Sequence, residues 1–375
     1  MKCFLLVSLQ VLFFFCSCTS KETKPSNPDF LSLSISDAAS LSVADLEIVD
    51  LIPLETTSQN LMGNDLRVRR GENKIFVMDI AQRDGIHIFS DTGQFLKTVA
   101  VKGEGPNELK GLQDFQIDNL GQLFLLATLG DRTTIYQISE EGELHKLTDT
   151  EYLASAFTLE ENGEFYLYGS YNKPLVTHRL ARVDSSGKVL QSYFPNDYTN
   201  EMLPMTERNF YETEGGDLVL AEIFNDTLYT LQNGRVQALV NIDLGRYQIP
   251  KEFWEMDLMQ GFELIQEQGF AVFNSAFGNS NRIIANIHFQ GNEIGTQKKV
   301  YLYDRIMGEF QVLDYPEQEA EIWNDPMGLE EDQIWFLTYH SFLRESQHPS
   351  LSPELLAKIP EQEFDYPILI KAKLN

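Results

Sequence analysis

The stretch Lys102-Gly103-Glu104-Gly105-Pro106-Asn107-Glu108 has the residue types for chemistry. Two glycines and a proline make a tight turn. Such a turn can aim the Glu104 and Glu108 carboxylates at a cation or a hydroxyl, with Lys102 and Asn107 beside them. Its likeness to a phosphate-cradling loop is superficial, because no helix follows to present its N-terminus to an anion. The plainer reading is a rigid connection between two sheets. Arg132, Tyr171, Arg208, Tyr211 and Trp254 add aromatic and guanidinium groups that suit sugar or peptide recognition, although each also fits simple packing.

Familiar catalytic signatures are missing. His87, His145, His178, His288, His340 and His348 never form a His-x-His or His-Glu-x-x-His pair, the spacings that place two imidazoles on one metal ion. No Gly-x-Ser-x-Gly elbow is present. His87 alternates with Ile86 and Ile88, as a hydrogen-bonded histidine within a sheet would. The acidic run Glu317, Glu319, Glu321, Asp325, Glu330, Glu331 and Asp332 lacks the spacing of a calcium loop and reads as a solvated face. Calcium held by carboxylates from separate segments would leave no local motif, so that ion stays open; no other cofactor is indicated.

Composition narrows the partners. The 375 residues carry 29 basic and 56 acidic side chains, a net charge of −27. Nucleic acid and anionic lipid headgroups are poor partners for such a surface, because counterion release needs lysines and arginines that it lacks. A hydrophobic content of 43% with 25 Phe and 15 Tyr excludes a disordered chain.

The N-terminus reads as an address. Lys2 precedes an apolar run, Phe4 to Phe15, broken only by Ser8 and Gln10. That run is well short of the roughly 20 residues that span a bilayer, and it suits a signal peptide. The junction Phe15-Cys16-Ser17-Cys18 resembles a relaxed lipoprotein cleavage box, which implies removal of residues 1–17 and a lipid on Cys18. An ordinary signal peptide cut nearby is the alternative. Cys3, Cys16 and Cys18 are the only cysteines, so a body cut there has no thiol nucleophile, disulfide or cysteine-bound metal. Residues 18–45 are expected to be the lipidated cysteine and a polar tether, and 46–375 the folded domain.

The elements that position these residues repeat. Turn glycines Gly93, Gly142, Gly187, Gly234 and Gly308 are spaced 49, 45, 47 and then 74 residues apart. Ahead of each lies an apolar run: Ile75 to Met78, Leu123 to Leu126, Phe165 to Tyr168, Leu218 to Ala221 and Ile283 to Asn286; a sixth is Ile334 to Leu337. Continuous apolar runs mark strands covered on both faces, and glycine supplies the positive φ of hairpin tips. A period of 40–50 residues with about four strands per unit specifies a β-propeller, here an all-β fold of six blades. After Trp335 one strand remains, Ile368 to Lys373. Leu46 to Ile52 has no blade of its own, so it is expected to supply the outer strand of the sixth blade and close the ring. The long gap predicts a helical insertion at about 246–268 between blades four and five, with Pro250 at its start and Gly269 at its stop. That helix either caps the channel mouth or packs beside a blade.

Five segments carry a family resemblance: Leu51-Ile52-Pro53-Leu54-Glu55-Thr56-Thr57, Ile88 to Leu96, Gly103 to Leu109, Asn225-Asp226-Thr227-Leu228-Tyr229 and Ile242 to Tyr247. Together they resemble the six-bladed β-propeller lipoproteins of Bacteroidota, relatives of the NHL-repeat propellers. Asn107 departs from that pattern, which usually has glycine after the proline. The resemblance implies a fold and an envelope location but no defined activity. The expectation is a monomeric, non-catalytic binding or scaffolding module, lipid-anchored, with the outer membrane as its site. It would take a glycan, peptide or envelope protein on the loop-rich face, where connections between blades and between second and third strands gather. The competing reading is a metal-assisted hydrolase, lactonase or lyase with carboxylates converging in the channel.

Overall fold

Leu123–Leu129 shows how the apolar runs are used. Its residues Leu123, Leu125 and Ala127 pack against Phe76, Met78 and Ile88 of the preceding sheet. Phe124 and Leu126 turn the other way, onto Phe157, Phe165 and Leu167 of the following sheet. Both faces of the strand are core, so polar alternation disappears. The computed structural model describes residues 31–71, 73–160, 162–198, 209–212, 218–346 and 348–374. The expected signal peptide, Cys18 and Arg208 lie outside the described residues.

Six antiparallel meanders follow one another, at 66–99, 112–150, 156–195, 210–243, 270–314 and 326–373. The first strand of each touches the first strand of the next, and that of the sixth touches that of the first, so the sheets ring a central channel. This is the six-bladed propeller that the repeat predicts. Blade 6 draws three strands from the C-terminal part and its outer strand from Glu47–Pro53, which pairs antiparallel with Pro367–Lys373 (Leu51 opposite Ile370). Closure therefore takes the expected form.

The expected tether is folded from residue 31 onward. Leu31–Ser34 (β1) adds in parallel to the outer strand of blade 4, Arg235–Asp243. Ala39–Ser42 (β2) adds likewise to that of blade 5, Glu309–Asp314. Glu47–Pro53 (β3) then completes blade 6. Leu33 and Ile35 pack onto the core between blades 4 and 5, and Leu41 and Val43 onto the core between blades 5 and 6. This apolar burial holds the segment, which its serine-rich composition disguised.

The helical insertion is present, with a different start. Pro250 is extended (φ −69°, ψ 152°) and precedes only a short 3-10 turn, Lys251–Trp254. The helix, Leu258–Gln268 (α1), begins where the Asp257 carboxylate accepts a hydrogen bond from Met259 N at 3.0 Å. It stops at Gly269 (φ 80°), as expected. Asn292 N donates to Gln266 O at 2.8 Å, tying α1 to the end of strand Arg282–Gly291. The insertion packs beside blade 5.

The hairpins join blades as well as turning the chain. Gly93 (φ 86°) lies so close to the outer strand of blade 6 that a Cβ there would overlap the Pro53 carbonyl. Glu55 N donates to Gly93 O (2.8 Å), and Phe95 N donates to the Glu55 carboxylate (2.8 Å). Gly187 stands in the same relation to Asp149 O, two blades on.

Candidate functional site

The loop at 102–108 folds onto itself. Glu108 Oε2 accepts a hydrogen bond from Gly105 N at 2.7 Å, and Glu104 pairs with Lys110. Asn107 adopts φ 61° and accepts from Leu144 N at 3.2 Å, so the asparagine occupies a left-handed position that glycine would fill without strain. Lys102 is exposed. The two carboxylates serve the loop and do not converge on the channel. Arg132 is exposed too, within 3.7 Å of Asp149 and 3.6 Å of Glu151.

Tyr171 and Trp254 do meet, their ring centroids 5.0 Å apart. The 3-10 turn of the insertion brings Phe253 and Trp254 to the loops after the second strands of blades 3 and 4. There Tyr171 and Phe224, joined by Tyr198 from the connection between blades 3 and 4, complete an aromatic cluster. Tyr171 is buried and donates to Ile223 O at 2.9 Å, whereas Trp254 is half-buried. Beneath them lies an ion pair that inspection of the sequence missed. Arg179 Nε donates to Glu222 Oε1 at 2.6 Å, and its guanidinium lies 4.9 Å from the Tyr171 ring centroid. Glu222 also accepts from the Tyr168 hydroxyl (3.1 Å) and Asn225 Nδ2 (2.8 Å). Burial opposes the charge on Arg179, but Glu222 outweighs it and holds the guanidinium above its ordinary pKa.

Arg67 and Asp114 form a second buried pair, linking the first strands of blades 1 and 2. Asp114 Oδ2 also accepts from Phe157 N of blade 3 at 3.1 Å. Arg69 extends across the channel, donating to Phe115 O (2.9 Å) and reaching Phe210 O of blade 4 (3.5 Å). Arg69 thus spans from blade 1 to blade 4, while Arg67 and Asp114 tie together blades 1, 2 and 3. Nearby Arg83 is held below its ordinary pKa, first by burial and then by the positive charge of Arg67. Tyr211 belongs to this region. It is buried on the first strand of blade 4 and donates to Asn274 O at 3.0 Å. It is therefore separate from the aromatic cluster. The clue to these residues was a charge inside an apolar strand, as in Leu66-Arg67-Val68.

The acidic run departs in part from the expected solvated face, while His87 takes the expected place of a hydrogen-bonded histidine within a sheet. Of the acidic run, Glu317, Glu321 and Glu331 are exposed, but Glu319 is buried, accepting from Trp323 Nε1 and Ser346 Oγ at 3.2 Å each. His87 is buried with Nδ1 against Thr98 Oγ1 at 2.9 Å, and burial lowers its pKa. Among the described residues no three His, Cys, Asp or Glu side chains are placed to share a metal ion.

A surface groove of about 530 Å³ lies at the closure seam. Its walls are the connection from β3 into blade 1 (Glu55 to Thr57), the Gly93 hairpin, and the segment Lys358 to Glu363 from the long loop of blade 6. Gln362 joins two walls, its Oε1 accepting from Thr56 N at 2.8 Å. Lys358 is drawn to Asp50 at 2.6 Å. The lining is hydroxyl, amide and carboxylate, presented by two connections of the loop-rich face and by one glycine hairpin.

Comparison with known proteins gives the chain a family. A family described as a domain of unknown function, DUF4934, matches residues 31–344. The chain belongs to the DUF4934 family. The match begins at β1, so the family unit includes the strands on the outer edges of blades 4 and 5. No curated protein matches the chain. A Bacteroides fragilis protein described as exported is similar in structure, with 16% identity, TM-score 0.73, and coverage of 92% of this chain and 99% of that one. At that identity the likeness shows the fold. A Bacteroides caccae protein of unknown function (14% identity, TM-score 0.40, 69% and 95% covered) superposes too loosely to carry argument. The same holds for a Staphylococcus aureus virginiamycin B lyase with quinupristin (12%, 0.41, 87% and 99%). Among the described residues no helix is long and apolar enough to cross a membrane.

Proposed function

We propose that this DUF4934 protein is exported, lipid-anchored through Cys18 to the bacterial envelope, and acts as a non-catalytic binding module. Its loop-rich face would receive a glycan, a peptide or a protein partner. The observation that carries the reading is the seam groove, about 530 Å³, built by three separate segments on a ring that closure makes rigid. Three candidate carboxylates have other work: Asp114 holds Arg67, Glu222 holds Arg179, and Glu108 caps its own loop. Export is supported by the apolar run before Cys18 and by the likeness to a Bacteroides protein described as exported.

Two measurements test this. Labelling with a lipid precursor is expected in the native chain and lost in Cys18→Ala. Thermal unfolding against a panel of glycans and peptides should yield a ligand that raises the midpoint. At a hundredfold excess over its dissociation constant, the gain is about 2.7 kcal/mol. Gln94→Trp, an exposed substitution in the groove wall, is expected to abolish that gain with the unliganded midpoint unchanged. Saturable turnover of any ligand, or a gain untouched by Gln94→Trp, would overturn the proposal.

A further inference from the structure

The opposite end of the channel holds a second site. At the face of the glycine hairpins, the C-terminal ends of the first strands surround a cup of about 180 Å³. Its walls include Arg69, Arg70, Tyr211, Phe277, Glu330 and Trp335. Arg69, which lines the cup, reaches across the channel to Phe210 O of blade 4. The Arg70 guanidinium lies 3.8 Å from the centroid of the Trp335 ring, and Lys371 Nζ lies 4.9 Å from it. Both cations share one carboxylate: Glu330 pairs with Arg70 through Oε1 and stands 3.7 Å from Lys371 through Oε2. Two positive charges thus meet one negative charge over an indole, in a chain whose net charge is −27.

The hydrogen-bond inventory tilts the same way. Trp335 is 3% exposed and its Nε1 has no acceptor; Arg70 Nε is likewise buried without one. Each is a donor whose burial is costly unless an acceptor arrives. Tyr211 and Phe277, 5.2 Å apart and edge to face, give the cup an apolar wall. We infer that the cup binds a small organic anion, a carboxylate on a flat apolar body. The carboxylate accepts from the surplus donors while the body lies on the aromatic wall. The site is independent of the seam groove, with which it shares no lining residue.

Phenylacetate and its uncharged amide, phenylacetamide, are suitable probes. Each is titrated into the purified full chain while tryptophan emission is followed. Phenylacetate should give a saturable change, and the amide should bind about tenfold more weakly, because it lacks the charge that strengthens hydrogen bonds. Trp335→Phe should remove the emission change, since Trp254 and Trp323 lie elsewhere. Glu330→Gln leaves both cations without their carboxylate and should tighten phenylacetate binding several-fold. Equal binding of acid and amide would overturn the inference. So would an emission change that survives Trp335→Phe, weaker binding in Glu330→Gln, or no saturable response up to roughly 10 mM.

Discussion

Gly93 and Gly295 separate two reasons for a glycine. Both have positive φ, 86° and 63°, yet a Cβ at Gly295 meets nothing within 4 Å, whereas one at Gly93 would strike the Pro53 carbonyl. Gly295→Ala should therefore cost only the left-handed backbone, about 1 kcal/mol. Gly93→Ala must also push the hairpin off blade 6, adding roughly 1–3 kcal/mol of overpacking. Urea unfolding of the two variants decides the matter, and equal losses would show that the hairpin does not bear on the neighbouring blade. The turn at Gly93 was legible because glycine follows polar residues between apolar runs. Its contact was not, since Pro53 belongs to a different blade. The same blindness hid Arg179–Glu222 and Arg67–Asp114: each partner stands in another blade, and a single sequence carries no register between blades.

Among the elements, the N-terminal strap has a repeat of its own. Leu31-Ser32-Leu33-Ser34-Ile35-Ser36-Asp37-Ala38 and Ala39-Ser40-Leu41-Ser42-Val43-Ala44-Asp45-Leu46 share one pattern, and each folds as a strand followed by a 3-10 turn. Each unit advances the chain by one blade, with Ser34 opposite Asp243 and Ser42 opposite Asp314. Such four-residue strands are too short to show alternation, and their serines have the composition of a linker, so a tether was the natural reading of the sequence. The blade strands, with their longer apolar runs, were legible in place, although Arg282–Gly291 runs five residues past Asn286 and Leu123–Leu129 three past Leu126. The consequences of removal differ accordingly. Deleting 31–42 strips partly buried Leu31, Leu33, Ile35 and Leu41 from a ring that stays closed, at about 1 kcal/mol each. Thermal melts followed by circular dichroism should then show a cooperative transition lowered by roughly 5 °C. Deleting 47–53 takes the fourth strand from blade 6 and should leave no cooperative transition. A closed-ring account fails if the second deletion is tolerated or if the first unfolds the chain.

For the whole molecule, charge is the property that composition states most directly and that local pairing leaves uncorrected. Pairs such as Arg282–Asp304 and Arg182–Glu160 match single acids with single bases, but a net charge of −27 remains. Folding draws those charges together, so self-repulsion opposes the compact state. The effect depends on range: the screening length is about 30 Å at 0.01 M salt and about 8 Å at 0.15 M. Raising sodium chloride between those concentrations should quiet repulsion across the ring while leaving buried pairs such as Arg179–Glu222 nearly untouched. The thermal midpoint should therefore rise with salt. Chloride is the anion of choice for the test, because sulfate also strengthens burial of apolar surface. A midpoint that falls as salt increases would mean that the exposed attractive pairs outweigh the global repulsion, and with it would go the argument that this surface turns away nucleic acid and anionic headgroups. Within that field the Arg70, Lys371 and Glu330 cluster is a local exception. An anion would approach it against the field of the molecule as a whole, so screening should speed phenylacetate association as well as raise the midpoint.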